Sequence, residues 1–181
     1  MSRALVPLAD GCEELEAVTI IDLLRRAGME VIVAGLHDGP VTASRGVRLV
    51  PDTTLDQALK TDFDLVALPG GMPGADHLAA DSRLADLLCR MHAEGRFVGA
   101  VCAAPKVLAR CGVLEGKTAT GFPGVLQQEA HPSISGEAVI RDGTVITSRA
   151  AGTAMDFALE LIEAVEGRET RMKVEKGLIR T

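Results

Sequence analysis

Apolar runs of strand length alternate along the chain with stretches whose apolar residues recur at helical spacing. That alternation predicts βαβ units and a mostly parallel sheet. Arg3 to Ala9 (RALVPLA) reads as the first strand. Beyond Asp10 and Gly11, residues Ala17, Ile20, Ile21, Leu24 and Ala27 share one helical face, and Gly28 closes that helix. Glu30 to Leu36 is a second strand, and Leu55 to Leu59 a short helix. Between them PVTASRGVRLVP alternates apolar and polar residues around Arg45 and Gly46, which predicts two short strands forming an edge hairpin.

The second half continues the plan. Asp64 to Leu68 is a buried strand running into Pro69, Gly70 and Gly71, and Leu84 to Glu94 is helical. Phe97 to Val101 is the next strand, followed after Cys102 by a helix through about Cys111. Asp142-Gly143 between two β-branched runs (EAVIRDGTVITS) marks a hairpin. Ala154, Phe157, Ala158, Leu161, Ile162 and Val165 then line one face of a long helix that Gly167 stops. The tail beyond Gly167 mixes charged and apolar residues and reads as a packed or frayed terminus. No repeat, low-complexity tract or linker interrupts the series, so one domain spanning residues 1–181 is expected.

Composition narrows what such a domain can do. Hydrophobic residues make up 47% of the chain and aromatics only 2%, with four Phe and neither Trp nor Tyr. Single-stranded nucleic acid is held by bases stacked on rings along a basic groove, and duplexes need clustered Lys and Arg. A ring-poor chain of formal net charge −6 suits neither, so nucleic acid is not expected as a partner. Aromatic cages and a catalytic Tyr are excluded as well. No stretch approaches a membrane span and the N-terminal apolar run is broken by Pro7 and Asp10, so the expected setting is cytoplasmic. There Cys12, Cys89, Cys102 and Cys111, none in CxxC spacing, should be free thiols, and no metal site is expected.

Three segments carry candidate chemistry. In FVGAVCAAPKVLARCG an apolar strand ends on Cys102, small residues surround it, and a helix begins near Pro105. That is the layout of a nucleophile elbow, whose position before a helix should lower the thiol's pKa. A small buried hydrophobe would give the same sequence, and packing is the expected role of Cys89 and Cys111. In GCEELEAVTIIDLLRRAG, Glu16 falls on or beside the apolar stripe, where burial would raise its pKa and keep it neutral beside a thiolate. Glu13 and Glu14 need no more than a first-turn role against the helix dipole. In LPGGMPGADHL, Gly70, Gly71 and Gly74 would let backbone N–H groups approach a ligand as an oxyanion site, or simply make a turn. None of His37, His77, His92 and His131 shows metal spacing or adjoins Cys102, and His92 is expected at the surface.

Taken together, GCEELEAV, LLRRAGMEVIVAGL, ASRGV, DLVALPGGMPGA, AVCAAP and DGTVITSRAAGTAMDFALELIEA resemble the ThiJ/PfpI superfamily over nearly the whole chain. The similarity is greatest to the branch of the Parkinson's-associated redox-sensing protein and its bacterial relative. The resemblance implies a flavodoxin-like α/β sandwich and a homodimer. It implies Cys102 as nucleophile and redox-sensitive thiol, and Glu16 as its protonated, hydrogen-bonded partner. It further implies the N–H groups of Gly71 and Ala103 as oxyanion site, with Arg45 nearby. Two departures bear on mechanism. Hydrolytic members place His directly after the nucleophile, where this chain has Ala103, and animal members place His before the proline that Pro123 resembles, where this chain has Phe122. Cys12 reads as a packed residue, or as an auxiliary thiol.

The expected function is a cofactor-independent thiol enzyme acting on a small dicarbonyl, converting methylglyoxal to lactate, or on glycated protein as a deglycase. The alternative is an oxidative-stress sensor or chaperone regulated by oxidation of Cys102.

Overall fold

In the computed structural model, which describes residues 1–131 and 133–180, the expected alternation builds a seven-stranded sheet with helices on both faces. The chain runs β1 (Arg3–Leu8), α1 (Glu14–Arg26), β2 (Glu30–Gly35), β3 (Val41–Thr42), β4 (Arg48–Leu49), β5 (Thr53–Thr54) and α2 (Leu55–Ala58). It continues through β6 (Leu65–Leu68), α3 (Gly74–Ala80), α4 (Ser82–Ala93), β7 (Phe97–Val101), α5 (Pro105–Arg110) and α6 (Val125–Gln128). The last elements are β8 (Val139–Asp142), β9 (Val145–Ser148), α7 (Ala154–Glu166) and α8 (Arg168–Gly177). The sheet order is β5-β2-β1-β6-β7-β9-β8, with every neighbour parallel except β8 against β9.

Successive residues of a strand point to opposite faces, and because both faces of this sheet are covered, the interior of each central strand carries no charged residue. Along β1, Ala4, Val6 and Leu8 join α1 and α7 in one core cluster, whereas Leu5 joins α4 and α5 in the other. On β6, Leu65 and Ala67 take the first face, Val66 and Leu68 the second. Phe157, fully buried on α7, is the largest of these core side chains, and its burial contributes about 3 kcal/mol. Asp81 starts α4 by accepting the N–H groups of Arg83 (3.0 Å) and Leu84 (3.3 Å).

Three elements differ from the sequence-based expectation, and the tail takes the packed one of its two expected forms. The hairpin of β3 and β4 is a separate two-stranded sheet, because Thr53 and Thr54 take the edge beside Ala34 and Gly35. Its strands are tied instead to the loop after β1, through Gly11 N–H to Thr42 O and Ser44 N–H to Cys12 O, both 2.8 Å. Helix α3 was not expected, since it opens on Gly74 and buries only Gly74, Ala75 and Leu78. The four-residue α6 is likewise too short for periodicity to reveal. The tail forms α8, packed on α7 with Val174 inside. Among the described residues no helix is long and apolar enough to cross a membrane.

Strand order reverses between β1 and β6: β2 lies to one side and β7 to the other. Ligands of open α/β sheets bind beyond the carboxyl ends of the strands at such a switch point. The loops after β1, β6 and β7 meet there, and these are the three segments with candidate chemistry.

Candidate active site

Cys102 has φ +61°, one of three positive-φ non-glycine residues among those described. A side chain in that region is strained, and the surroundings hold it there. Cys102 N–H donates to Ser148 O at 3.0 Å, extending the ladder to β9, and Cys102 O accepts the Phe122 N–H at 2.7 Å. Helix α5 then starts with Pro105 in its first turn, so the elbow expected from sequence is formed.

Two glycines let the loop after β6 close on this elbow. A Cβ on Gly70 would lie 2.8 Å from Ala103 N and Cys102 Cβ, and one on Gly71 would lie 2.3 Å from Glu13 N. Gly71 also has φ +87°. Their absence of side chains lets the N–H groups of Gly71 and Ala103 approach the Cys102 sulfur, whose pKa they lower.

Glu16 is completely buried. Its Oε2 accepts the Gly70 N–H at 2.7 Å, while Oε1 has no hydrogen-bond partner among the described residues and the carboxyl lies within reach of the Cys102 thiol. Burial pushes Glu16 up to about 7, against the pull of the Gly70 N–H. For Cys102, burial, then the charge of an ionised Glu16 and the bond to it, push the thiol up to about 12, while the Ala103 and Gly71 N–H groups lower it. Burial is the largest of these effects, so the lowering expected from the elbow position is outweighed, and an ionised Glu16 adds to the rise. The two groups form a coupled pair that holds one negative charge near neutrality. On sulfur that charge would meet two N–H groups and an O–H on the otherwise unpartnered Oε1; on the carboxyl it meets the Gly70 N–H and a weak S–H donor.

A cavity of about 470 Å³ opens over the sulfur, lined by Glu13, Ser44, Arg45, Gly71, Met72, Cys102, Ala103, Lys106, Phe122, Pro123, Val125 and Gln128. Arg45 thus lies at the site, on the hairpin loop. Glu13 and Glu14 do more than face a helix dipole. Ser44 Oγ donates to Glu13 Oε2 (2.8 Å) and Glu14 Oε2 (3.1 Å), and Arg45 N–H donates to Glu14 Oε1 (2.9 Å), which fixes that loop over the cavity.

Lys106 is a cavity residue that sequence reasoning missed. It is only 7% exposed, with Nζ 2.5 Å from Asp76 Oδ1, because the first turn of α5 faces the site whatever residue it carries. Its place four residues after the elbow cysteine was the available signal. None of the four histidines lines the cavity; His37 and His77 face a different depression beside Asp10. His92 is half-buried, with an unpartnered Nδ1, and so is not the surface residue expected. Cys12 is completely buried with its thiol raised to about 11, chiefly by burial, which fits packing. Cys89, expected to pack, is exposed instead. A larger groove of about 700 Å³ beside β5 contains none of the candidate residues. Among the described residues no group of three or more His, Cys, Asp or Glu is arranged to hold a metal ion.

The chain matches the profile of the DJ-1/PfpI family over residues 2–164. It is 44% identical over 179 residues to Protein dj-1beta of Drosophila melanogaster, covering 97% of this chain and 96% of that protein. It is 34% identical over 176 residues to the glutathione-independent glyoxalase DJR-1.2 of Caenorhabditis elegans, covering 96% and 93%. Among solved structures, oxidized Toxoplasma gondii DJ-1 superimposes with a TM-score of 0.96 at 36% identity, covering all of both chains.

Proposed function

The chain belongs to the DJ-1/PfpI family, and from that premise we propose that it is a thiol enzyme that converts methylglyoxal to lactate, with Cys102 as nucleophile and Glu16 as proton carrier. The observation that carries this reading is the strained Cys102 with its sulfur among the Gly71 N–H, the Ala103 N–H and the buried Glu16 carboxyl. The relative named as a glutathione-independent glyoxalase supports the substrate class.

The thiolate adds to the aldehyde carbon, and the carbonyl electron pair moves to oxygen, where the Gly71 and Ala103 N–H groups receive it. Glu16 gives that oxygen its proton, which yields a hemithioacetal and leaves Glu16 as a base. Glu16 then takes the proton from the former aldehyde carbon and returns it to the neighbouring carbonyl carbon, while the hydroxyl proton passes between the adjacent oxygens. The result is a lactate thioester, an internal oxidation and reduction with no outside electron acceptor. Water cleaves the thioester, releasing lactate and restoring the thiolate beside neutral Glu16. A pKa near 7 suits a carboxyl that must both give and take a proton at neutral pH. Arg45 and Lys106 supply positive charge along the cavity wall. No histidine lies in that wall, and the proposal gives the proton traffic to Glu16 because its carboxyl is the one beside the Cys102 thiol. The same addition to an aldehyde-derived adduct extends to glycated protein, and the reading includes a homodimer in a cytoplasmic setting.

Steady-state lactate formation from methylglyoxal by wild type and Cys102→Ser tests the proposal. Loss of turnover in the variant is expected, and wild-type rates in it overturn the assignment. A second reading, oxidation sensing at Cys102, is favoured by the close likeness to a relative solved in an oxidized form. Selective gain of two oxygens at Cys102 under mild peroxide, without dicarbonyl turnover, would select it.

A further inference from the structure

Outside the candidate active site, two other thiols meet. Cys89 projects from the third turn of α4, is exposed, and its Sγ lies 3.2 Å from the carbonyl oxygen of Cys111. Cys111 caps α5, half-buried against the core, with its own Sγ 3.5 Å from Leu108 O. The Cys89 sulfur therefore lies against the backbone of Cys111, and the two thiols are neighbours across α4 and the end of α5. Neither thiol is used by the chemistry proposed for Cys102.

We propose that Cys89 and Cys111 are a second, reversible redox site, an intramolecular disulfide joining α4 to the turn that follows α5. The oxidant class is a peroxide. The Cys89 sulfur attacks one peroxide oxygen and the O–O bond breaks, giving a sulfenic acid and one water. The Cys111 sulfur then attacks the Cys89 sulfur and expels the hydroxyl as a second water. Two thiols thereby lose two electrons and two protons, and hydrogen peroxide becomes two waters. A small dithiol reverses the bond by exchange.

The asymmetry of the two residues sets their roles. Cys89 is the sulfur a solute reaches. Cys111 is half-buried, its thiol raised to about 11 chiefly by burial, so the exposed Cys89 meets the oxidant first and Cys111 serves as the resolving sulfur. Cys111 also sits where α5 gives way to a turn, and a turn can adjust its backbone to disulfide geometry more readily than a helix interior. Because α5 begins three residues beyond Cys102, the bond would clamp the far end of the helix that carries the elbow.

The test is peroxide treatment of the full chain in a Cys102→Ala background, followed by alkylation of free thiols, trypsin digestion without reductant and mass spectrometry. Cys89 and Cys111 fall in separate tryptic peptides, residues 84–90 and 111–117. The expected result is a linked 84–90/111–117 peptide, an intact mass lower by two hydrogens, and full reversal by dithiothreitol. Adding Cys89→Ser should abolish the link, while reduced Cys89→Ser with Cys102 intact keeps wild-type lactate formation. The proposal is overturned if Cys111 remains alkylatable while Cys89 is overoxidised, or if Cys89 crosslinks only to a second chain.

Discussion

Placing an ionisable carboxyl where Glu16 sits should leave a thermodynamic signature that can be isolated from the thiol. In a Cys102→Ala background only Glu16 titrates at the elbow, and Glu16→Gln in that background keeps a carbonyl oxygen for the Gly70 N–H. The folded carboxyl is pushed up to about 7 from an ordinary 4.5. A raised carboxyl binds its proton more tightly in the folded state, so its stability contribution is full below pH 4.5 and is lost as pH rises through 7. At about 1.4 kcal/mol per pH unit, the span from 4.5 to 7 corresponds to about 3 kcal/mol. Urea unfolding of both proteins at one concentration and ionic strength, from about pH 4.5 to about pH 8, should show equal stability at the acid end. At the alkaline end the Gln protein should be more stable by about 3 kcal/mol, with the m-value unchanged. A difference that does not vary with pH, or a Glu protein more stable at the alkaline end, would refute the burial argument.

Four further outcomes follow from the geometry. In wild type, kcat/KM for methylglyoxal should rise with pH to a plateau with a midpoint at or below about 7, where the pair takes its single charge, and Glu16→Gln should lose turnover; a wild-type midpoint well above 7 assigns the titration to another group. Gly71→Ala should lower turnover about a hundredfold, because the new Cβ lies 2.3 Å from Glu13 N and displaces an oxyanion donor. Gly28→Ala, with φ +83° but nothing within 4 Å of the added carbon, should cost about 1 kcal/mol of stability and no activity. Asp81→Ala should cost about 1 kcal/mol in urea unfolding by uncapping α4, with lactate formation unchanged.

What was legible in the sequence follows a physical division. Strands β1, β6 and β7 are buried on both faces, so their apolar runs could hardly be read otherwise. The elbow was legible because its requirement is local: small residues on either side of Cys102 and a proline opening the next helix. Glu16 was legible from helical spacing alone. What escaped depends on contacts between distant segments. The hairpin of β3 and β4 lies over the site because Gly11 and Cys12 bond to it across thirty residues of chain, and no pattern within the hairpin records that. Lys106 escaped for the opposite reason, since a lysine is normally read as solvated, and only the direction of the α5 first turn buries it beside Asp76.

The same division explains the reversed expectation for the Cys102 thiol, and it leads to a decisive measurement. A helix start favours a thiolate, but here burial and Glu16 act on the same atom from a segment far earlier in the chain. Two charges at this separation in a buried site oppose each other strongly, so the pair carries one charge over a wide pH range. With the charge on sulfur, Oε1 of Glu16 gains the partner it lacks, and the sulfur keeps the Gly71 and Ala103 donors. The first proton of a coupled pair leaves at or below the lower of its two separate values, here about 7. The thiolate's ultraviolet absorbance, taken as wild type minus Cys102→Ala from about pH 4 to about pH 9, should therefore appear with a midpoint at or below about 7. Glu16→Gln should shift that midpoint, since it substitutes a fixed amide donor for a proton the pair shares. If no thiolate forms until the pH exceeds the ordinary thiol value of 9, the charge resides on Glu16 and the carboxyl acts as a base toward a neutral thiol.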